Sequence, residues 1–272
     1  MKRQTITKSI IISILMLGIS TSGWSTGTVP KIKEETVTYT ADGVNFKGFI
    51  AYDDNIKGKR PAILVVHEWW GLNDYVKMRV RKLAELGYIA MAADMFGDGK
   101  IAENPTDAQA FATPYYKDPN LVKTRLDAAS DKLKEYSQTD PANMAAIGYC
   151  FGGYVALNYA KLGANLKGVV SFHGGLGGVP VDKKLLKAKV LICHGASDQF
   201  VPQKDAEALK HKLDSIGVEN TLKIYPDATH AFTNPDATKT GLQFKMPIAY
   251  NAEADKNSWN DMKTFFGKIF PK

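Results

Sequence analysis

Met144 Ala145 Ala146 Ile147 Gly148 Tyr149 Cys150 Phe151 Gly152 Gly153 is an apolar run that passes through a glycine-flanked cysteine into a second apolar segment. The unbroken run at 144–148 suits a strand buried on both faces, and residues 152–162 carry helical spacing up to a stop at Gly163. The pattern G-x-C-x-G thus falls on a strand-to-helix junction. A turn this tight strains the residue at its apex, and glycine at each flank removes a Cβ that would collide. The Cys150 thiol is thereby raised above the sheet at a helix N-terminus, where aligned N–H groups favour an anion. A lone cysteine in an apolar stretch is otherwise ordinary core, so it is the context that marks Cys150 as a candidate nucleophile, with the Phe151 N–H as one oxyanion donor.

Outward from this turn, strands and helices alternate. Strand-like runs occur at 35–39, 45–51, 62–67, 88–93, 167–172, 189–193 and 221–225, and helical spacing at 75–86, 119–136, 203–216 and 252–270. The expected fold class is α/β, a mostly parallel central sheet with helices on both faces. No linker or internal repeat divides the chain, so one domain over 30–272 is expected. Residues 97–118 form a long connection that could cover a site as a lid.

The chain has 272 residues, 44% hydrophobic and 23% charged, enough to bury a large core and contrary to disorder or a coiled coil. Two cysteines and no C-x-x-C pair argue against a disulfide scaffold, a zinc ribbon or a thioredoxin-type site. No metal or cofactor is expected. The net charge of +7 raises the question of nucleic acid. Part of it is local: Lys2, Arg3 and Lys8 precede an apolar run at 10–19 and the small residues Ser20, Thr21, Ser22 and Gly23. This reads as a cleaved signal peptide over 1–22, since ten apolar residues fall short of the roughly 20 that span a bilayer. Its removal takes the charge to +4, and no basic block with interleaved aromatics suggests a nucleic-acid partner. The expected location is periplasmic or secreted, without stable membrane insertion, as a monomer or small homo-oligomer.

A nucleophile on such a turn is followed in chain order by an acid and then a histidine. His211, between Lys210 and Lys212 on an amphipathic helix, reads as solvated, whereas His230 follows the last strand in a loop. His173 and His194 lie near glycines at strand ends and read as loop-supporting. Asp198, after the penultimate strand, suits the orienting acid. Asp205 and Asp214 fall on a helix, and Asp227 is too near His230 along a turn.

These residues resemble the dienelactone hydrolase family of α/β-hydrolases. The resemblance spans nearly all of the chain after the leader and rests on His67 Glu68 Trp69 Trp70 Gly71 Leu72, the turn at Cys150, His194 to Asp198, and His230 Ala231 Phe232. It implies an α/β-hydrolase fold and a Cys150, His230, Asp198 triad, with the Trp69 N–H as second oxyanion donor. It also implies that the Glu68 carboxylate contacts the resting thiol until substrate displaces it; from the residues alone, Glu68 is equally a solvated carboxylate at a strand end. Dienelactone-cleaving members clamp a substrate carboxylate with two arginines. The matching stretches here, Asp94 to Asp98 and His230 to Asn234, hold none. A neutral ester, lactone or thioester is therefore expected, in a pocket for which Trp70, Phe96, Phe111, Tyr115 and Tyr116 are candidates, core packing being their alternative role. The reading is an exported carboxylic ester hydrolase working through an acyl-cysteine. A binding protein without turnover, or a thioesterase or peptidase on the same triad, remains open.

Overall fold

A computed structural model describes Met1 and residues 29–270, so the expected export signal, apart from Met1, lies outside the described residues. Eight strands form one sheet: β1 (Ile32–Ala41), β2 (Val44–Asp53), β3 (Arg60–Val66), β4 (Ile89–Ala93), β5 (Thr139–Tyr149), β6 (Gly168–Phe172), β7 (Lys189–Gly195) and β8 (Asn220–Tyr225). Their order is β1-β2-β4-β3-β5-β6-β7-β8. The β1–β2 hairpin and the β2–β4 pair are antiparallel, and every pair from β4 across to β8 is parallel. Parallel neighbours need crossovers that place helices over both faces, which is why these strands read as unbroken apolar runs.

Alternate residues supply the two cores. Leu64, Ala146 and Val190 face the layer of α3 (Pro119–Lys134), α4 (Phe151–Lys161) and α5 (Gln203–Ser215), while Val65, Ile147 and Leu191 face α1 (Asp74–Glu85) and α7 (Ala252–Ile269). Two helices were not expected from the sequence. α2 (Pro105–Lys117) occupies the expected open lid at 97–118, started by the Asn104 side chain, which accepts the Asp107 N–H, and by Pro105 in its first turn. α6 (Ala237–Phe244) lies in the connection between β8 and α7.

The α1–α7 face is tied by a buried cation. Arg79 reaches Asp255 Oδ1 at 2.6 Å and the Thr233 carbonyl, and its guanidinium lies over the rings of Tyr75, Tyr149 and Trp259. One side chain thus joins α1, α7 and the loop after β8. Removing one partner of a buried pair leaves the other charge uncompensated. Asp255→Ala is expected to lower the unfolding free energy by about 3–5 kcal/mol, measured by urea denaturation; a loss no larger than the ~1 kcal/mol of a surface pair would contradict this.

Three histidines are buried behind the C-terminal ends of β3, β6 and β7. His67 Nε2 accepts the Met95 N–H at 3.2 Å, and His173 Nδ1 accepts the Cys150 N–H at 3.1 Å. Each ring is therefore neutral with a fixed tautomer. His194 is buried with neither ring nitrogen bonded. Burial pushes all three below the ordinary 6.5. The unfolded chain then takes up three protons that the folded chain refuses, so stability falls with pH below about 6.5. Glu68, pushed up by burial to about 7, and His230, raised to about 10, work the other way, as two groups against three. Urea midpoints are expected to fall from about pH 7 to about pH 5; a rise over that interval would refute neutral buried imidazoles.

Candidate active site

The Cys150 turn is held from all sides. Its φ of 54° is left-handed for a residue with a Cβ. A Cβ at Gly148 would overlap the Gly152 carbonyl, and one at Gly152 would overlap the Val66 carbonyl, so both glycines are required by close approach. The Cys150 N–H is shared between the Phe172 carbonyl at 3.0 Å and His173 Nδ1. His173 Nε2 in turn donates to Thr233 Oγ1 at 2.7 Å, and Thr233 meets Tyr75 Oη at 2.6 Å. The sequence shows His173 only as a loop support; the loop it supports proves to be this turn.

The loop after β8 brings His230 to Cys150, and the loop after β7 brings Asp198 to His230. Asp198 Oδ2 accepts from His230 Nδ1 at 2.8 Å, while Oδ1 accepts the N–H groups of Phe200 and Val201 at 2.9 and 3.0 Å. Burial works to raise the Asp198 carboxyl, but His230 and the two amides outweigh it and hold it below the usual carboxylate range. Burial likewise opposes charge on His230, yet the Cys150 sulfur and Asp198 prevail and raise it to about 10. The rival acids stand elsewhere, Asp205 and Asp214 on α5 and Asp227 on an exposed turn, and His211 is exposed on α5. Neither the Phe151 N–H, first in α4, nor the Trp69 N–H has an acceptor among the described residues.

Glu68 departs from what the resemblance implies. It is buried, and its carboxylate accepts from Asn234 Nδ2 at 2.6 Å; no bond to the Cys150 thiol is formed. Asn234 Oδ1 accepts the Asp236 N–H at 3.0 Å, which turns the NH2 toward Glu68 and gives that carboxylate a better donor than a thiol. Asn234 lies in the stretch where dienelactone-cleaving members carry an arginine. The other stretch is also reassigned: Asp94 is buried and accepts the N–H groups of Lys47, Phe96, Gly97 and Gly99, organising a loop.

Cys150 and His230 open into a cavity of about 330 Å³ walled by Trp70, Tyr116, Phe200, Met246 and Ile248, with no lysine or arginine among its lining residues. Trp69, Glu68 and Phe151 complete it near the thiol, and Gln109 adds a polar group missed in the sequence. Phe96, Phe111 and Tyr115 are absent from the lining. The helical period turns Ala108, Ala112 and Tyr115 of α2 into the core and leaves Gln109 and Tyr116, seven residues apart, facing the cavity. Phe96 packs behind, against His67, Phe111 and Phe151. Both cysteines are free; Cys193, in β7, is buried and its thiol is pushed up by burial to about 12.

The chain is 28% identical to "Protein usf" of Aquifex pyrophilus over 85% of its own length and 97% of the relative's, and 30% identical to a putative carboxymethylenebutenolidase of Methylorubrum extorquens over 77% and 72%. Among solved structures it superposes on a dienelactone hydrolase-like promiscuous phosphotriesterase from metagenomic libraries with a TM-score of 0.81 and 34% identity, covering 88% of this chain and 99% of that one. Residues 46–270 match the dienelactone hydrolase family, and the chain belongs to it as a hydrolase of the α/β-hydrolase fold.

Proposed function

We propose that this hydrolase is an exported carboxylic ester hydrolase that cleaves small neutral esters or lactones through an acyl-cysteine intermediate. The observation that carries the reading is the Asp198–His230 bond of 2.8 Å set beside Cys150 at the end of an aromatic cavity that no lysine or arginine lines. Asp198 fixes the His230 tautomer, leaving Nε2 to take the thiol proton. The Cys150 sulfur forms a bond to the substrate carbonyl carbon, and the charge moves to the oxygen, held by the Phe151 and Trp69 N–H groups. The imidazolium then protonates the departing alkoxide as the C–O bond breaks. In the second half His230 takes a proton from water, whose oxygen attacks the thioester, and returns it to sulfur. The cavity offers no cation to a substrate carboxylate, which favours a neutral acyl group. Export rests on the basic start and apolar run of residues 1–22.

The test is a panel of p-nitrophenyl esters, lactones, thioesters and one neutral phosphotriester, given to reduced protein. Ester or lactone turnover is expected, with kcat/KM falling by about 10⁴-fold or more in Cys150→Ala and His230→Ala, while His211→Ala keeps wild-type rates. No turnover of any member would favour a ligand-binding protein, and thioester turnover alone would favour a thioesterase. Glu68 fills the cavity wall near the thiol without bonding it, so Glu68→Ala is expected to speed inactivation by peroxide; if that rate did not move, Glu68 would have no part in shielding the thiol.

A further inference from the structure

A second cavity of about 420 Å³ lies beside the catalytic one, and the two share a single lining residue, Trp70. The second chamber reaches from Tyr75 and Asn234 out to α6, where Thr240, Gln243 and Phe244 face it, and its outer wall is polar, with Asp74, Glu103, Asp236 and Lys239. Near Trp70 the wall is completed by a hydrogen-bonded pair whose members stand in different chambers: Glu68 lines the catalytic cavity and Asn234 the second. The partition is thus one aromatic side chain above one carboxylate–amide bond.

The Trp70 ring is held from both ends. It stacks on Phe244 at 5.8 Å between centroids and meets Trp69 edge-on at 5.3 Å. Its main chain is fixed independently: the Trp70 carbonyl accepts the Ala102 N–H at 2.9 Å, and Gly71, at φ 97°, bridges to Ile101. Side-chain truncation at Trp70 therefore opens the wall while the adjacent Trp69 N–H keeps its anchor.

We propose that Trp70 is a specificity-determining residue that sets the length of the substrate arm on its side of Cys150 by closing the catalytic cavity from the second chamber. The inference rests on the ester-hydrolase reading above. An arm longer than the cavity meets the indole; with the ring removed it continues into the space bounded by Thr240 and Gln243. Because an arm accommodated or refused alters transition-state binding of the long substrate and leaves the short one unaffected, the effect belongs in the ratio of kcat/KM between long and short substrates.

Wild type, Trp70→Ala, Trp70→Leu and Trp70→Phe are compared on two series: p-nitrophenyl esters from acetate to decanoate, and acetate esters of alcohols from methyl to octyl. In one series or the other, the long-to-short ratio is expected to rise by about tenfold or more in Trp70→Ala and Trp70→Leu and to stay near wild type in Trp70→Phe. Thr240→Trp, which refills the second chamber from α6, is expected to reverse the gain in the Trp70→Ala background and to leave the ratio of the otherwise wild-type protein unmoved. Unchanged ratios in both series, from a variant that still cleaves acetate, would overturn the proposal, as would a gain that Thr240→Trp does not reverse. If wild type cleaves no ester at all, the ester-hydrolase reading is what fails.

Discussion

The left-handed backbone at Cys150 is the constraint on which the rest of the structure depends. Such a conformation costs about 1–3 kcal/mol and persists only where its surroundings over-determine it. Here they do: glycines at 148 and 152 admit the backbone of α4 and the end of β3, and the Phe172 carbonyl and His173 ring both take the Cys150 N–H. The order of strands follows from the same demand. β5 must lie beside β3 and β6 for the turn to be braced from both sides, and the sheet places it there.

Bracing continues away from the sulfur through one buried polar network. Thr233 receives His173, meets Tyr75, and presents its carbonyl to Arg79, which is neutralised by Asp255 on α7. Only two residues separate Thr233 from His230, so the loop that carries the imidazole is anchored by the network that steadies the cysteine. The cysteine turn and the His230 loop are thus held by one connected unit. The members of a buried polar network depend on one another, which ties the placement of the cysteine and the imidazole to the integrity of the α1–α7 face.

All eight strands are legible in the sequence because a strand buried on both faces must be apolar throughout, and the parallel sheet makes most of them so. The Cys150, His230 and Asp198 positions are legible because chain order and loop placement are local properties. α2 escapes notice because its core face is built of Ala108 and Ala112 around Tyr115, with Pro114 inside the helix, so its apolar stripe is faint. α6 is short and contains Gly241. The partner of Glu68 was hidden for another reason: Asn234 lies 166 residues away, and no periodicity reports which polar side chain will face a buried carboxylate. Phe96 and Tyr115 show the converse, since aromatic residues near a site in sequence are divided between cavity and core by helix phase, which composition does not carry.

The two thiols differ in one respect that reaches beyond catalysis. Cys193 is sealed in β7 with its sulfur against the Tyr225 hydroxyl and its ionisation suppressed, whereas Cys150 is partly open to the cavity. Toward thiol-directed reagents the folded protein therefore behaves as though it held a single sulfhydryl. A stoichiometric titrant counts intact sites, one label per folded chain, and a second equivalent is consumed only by molecules that have come apart.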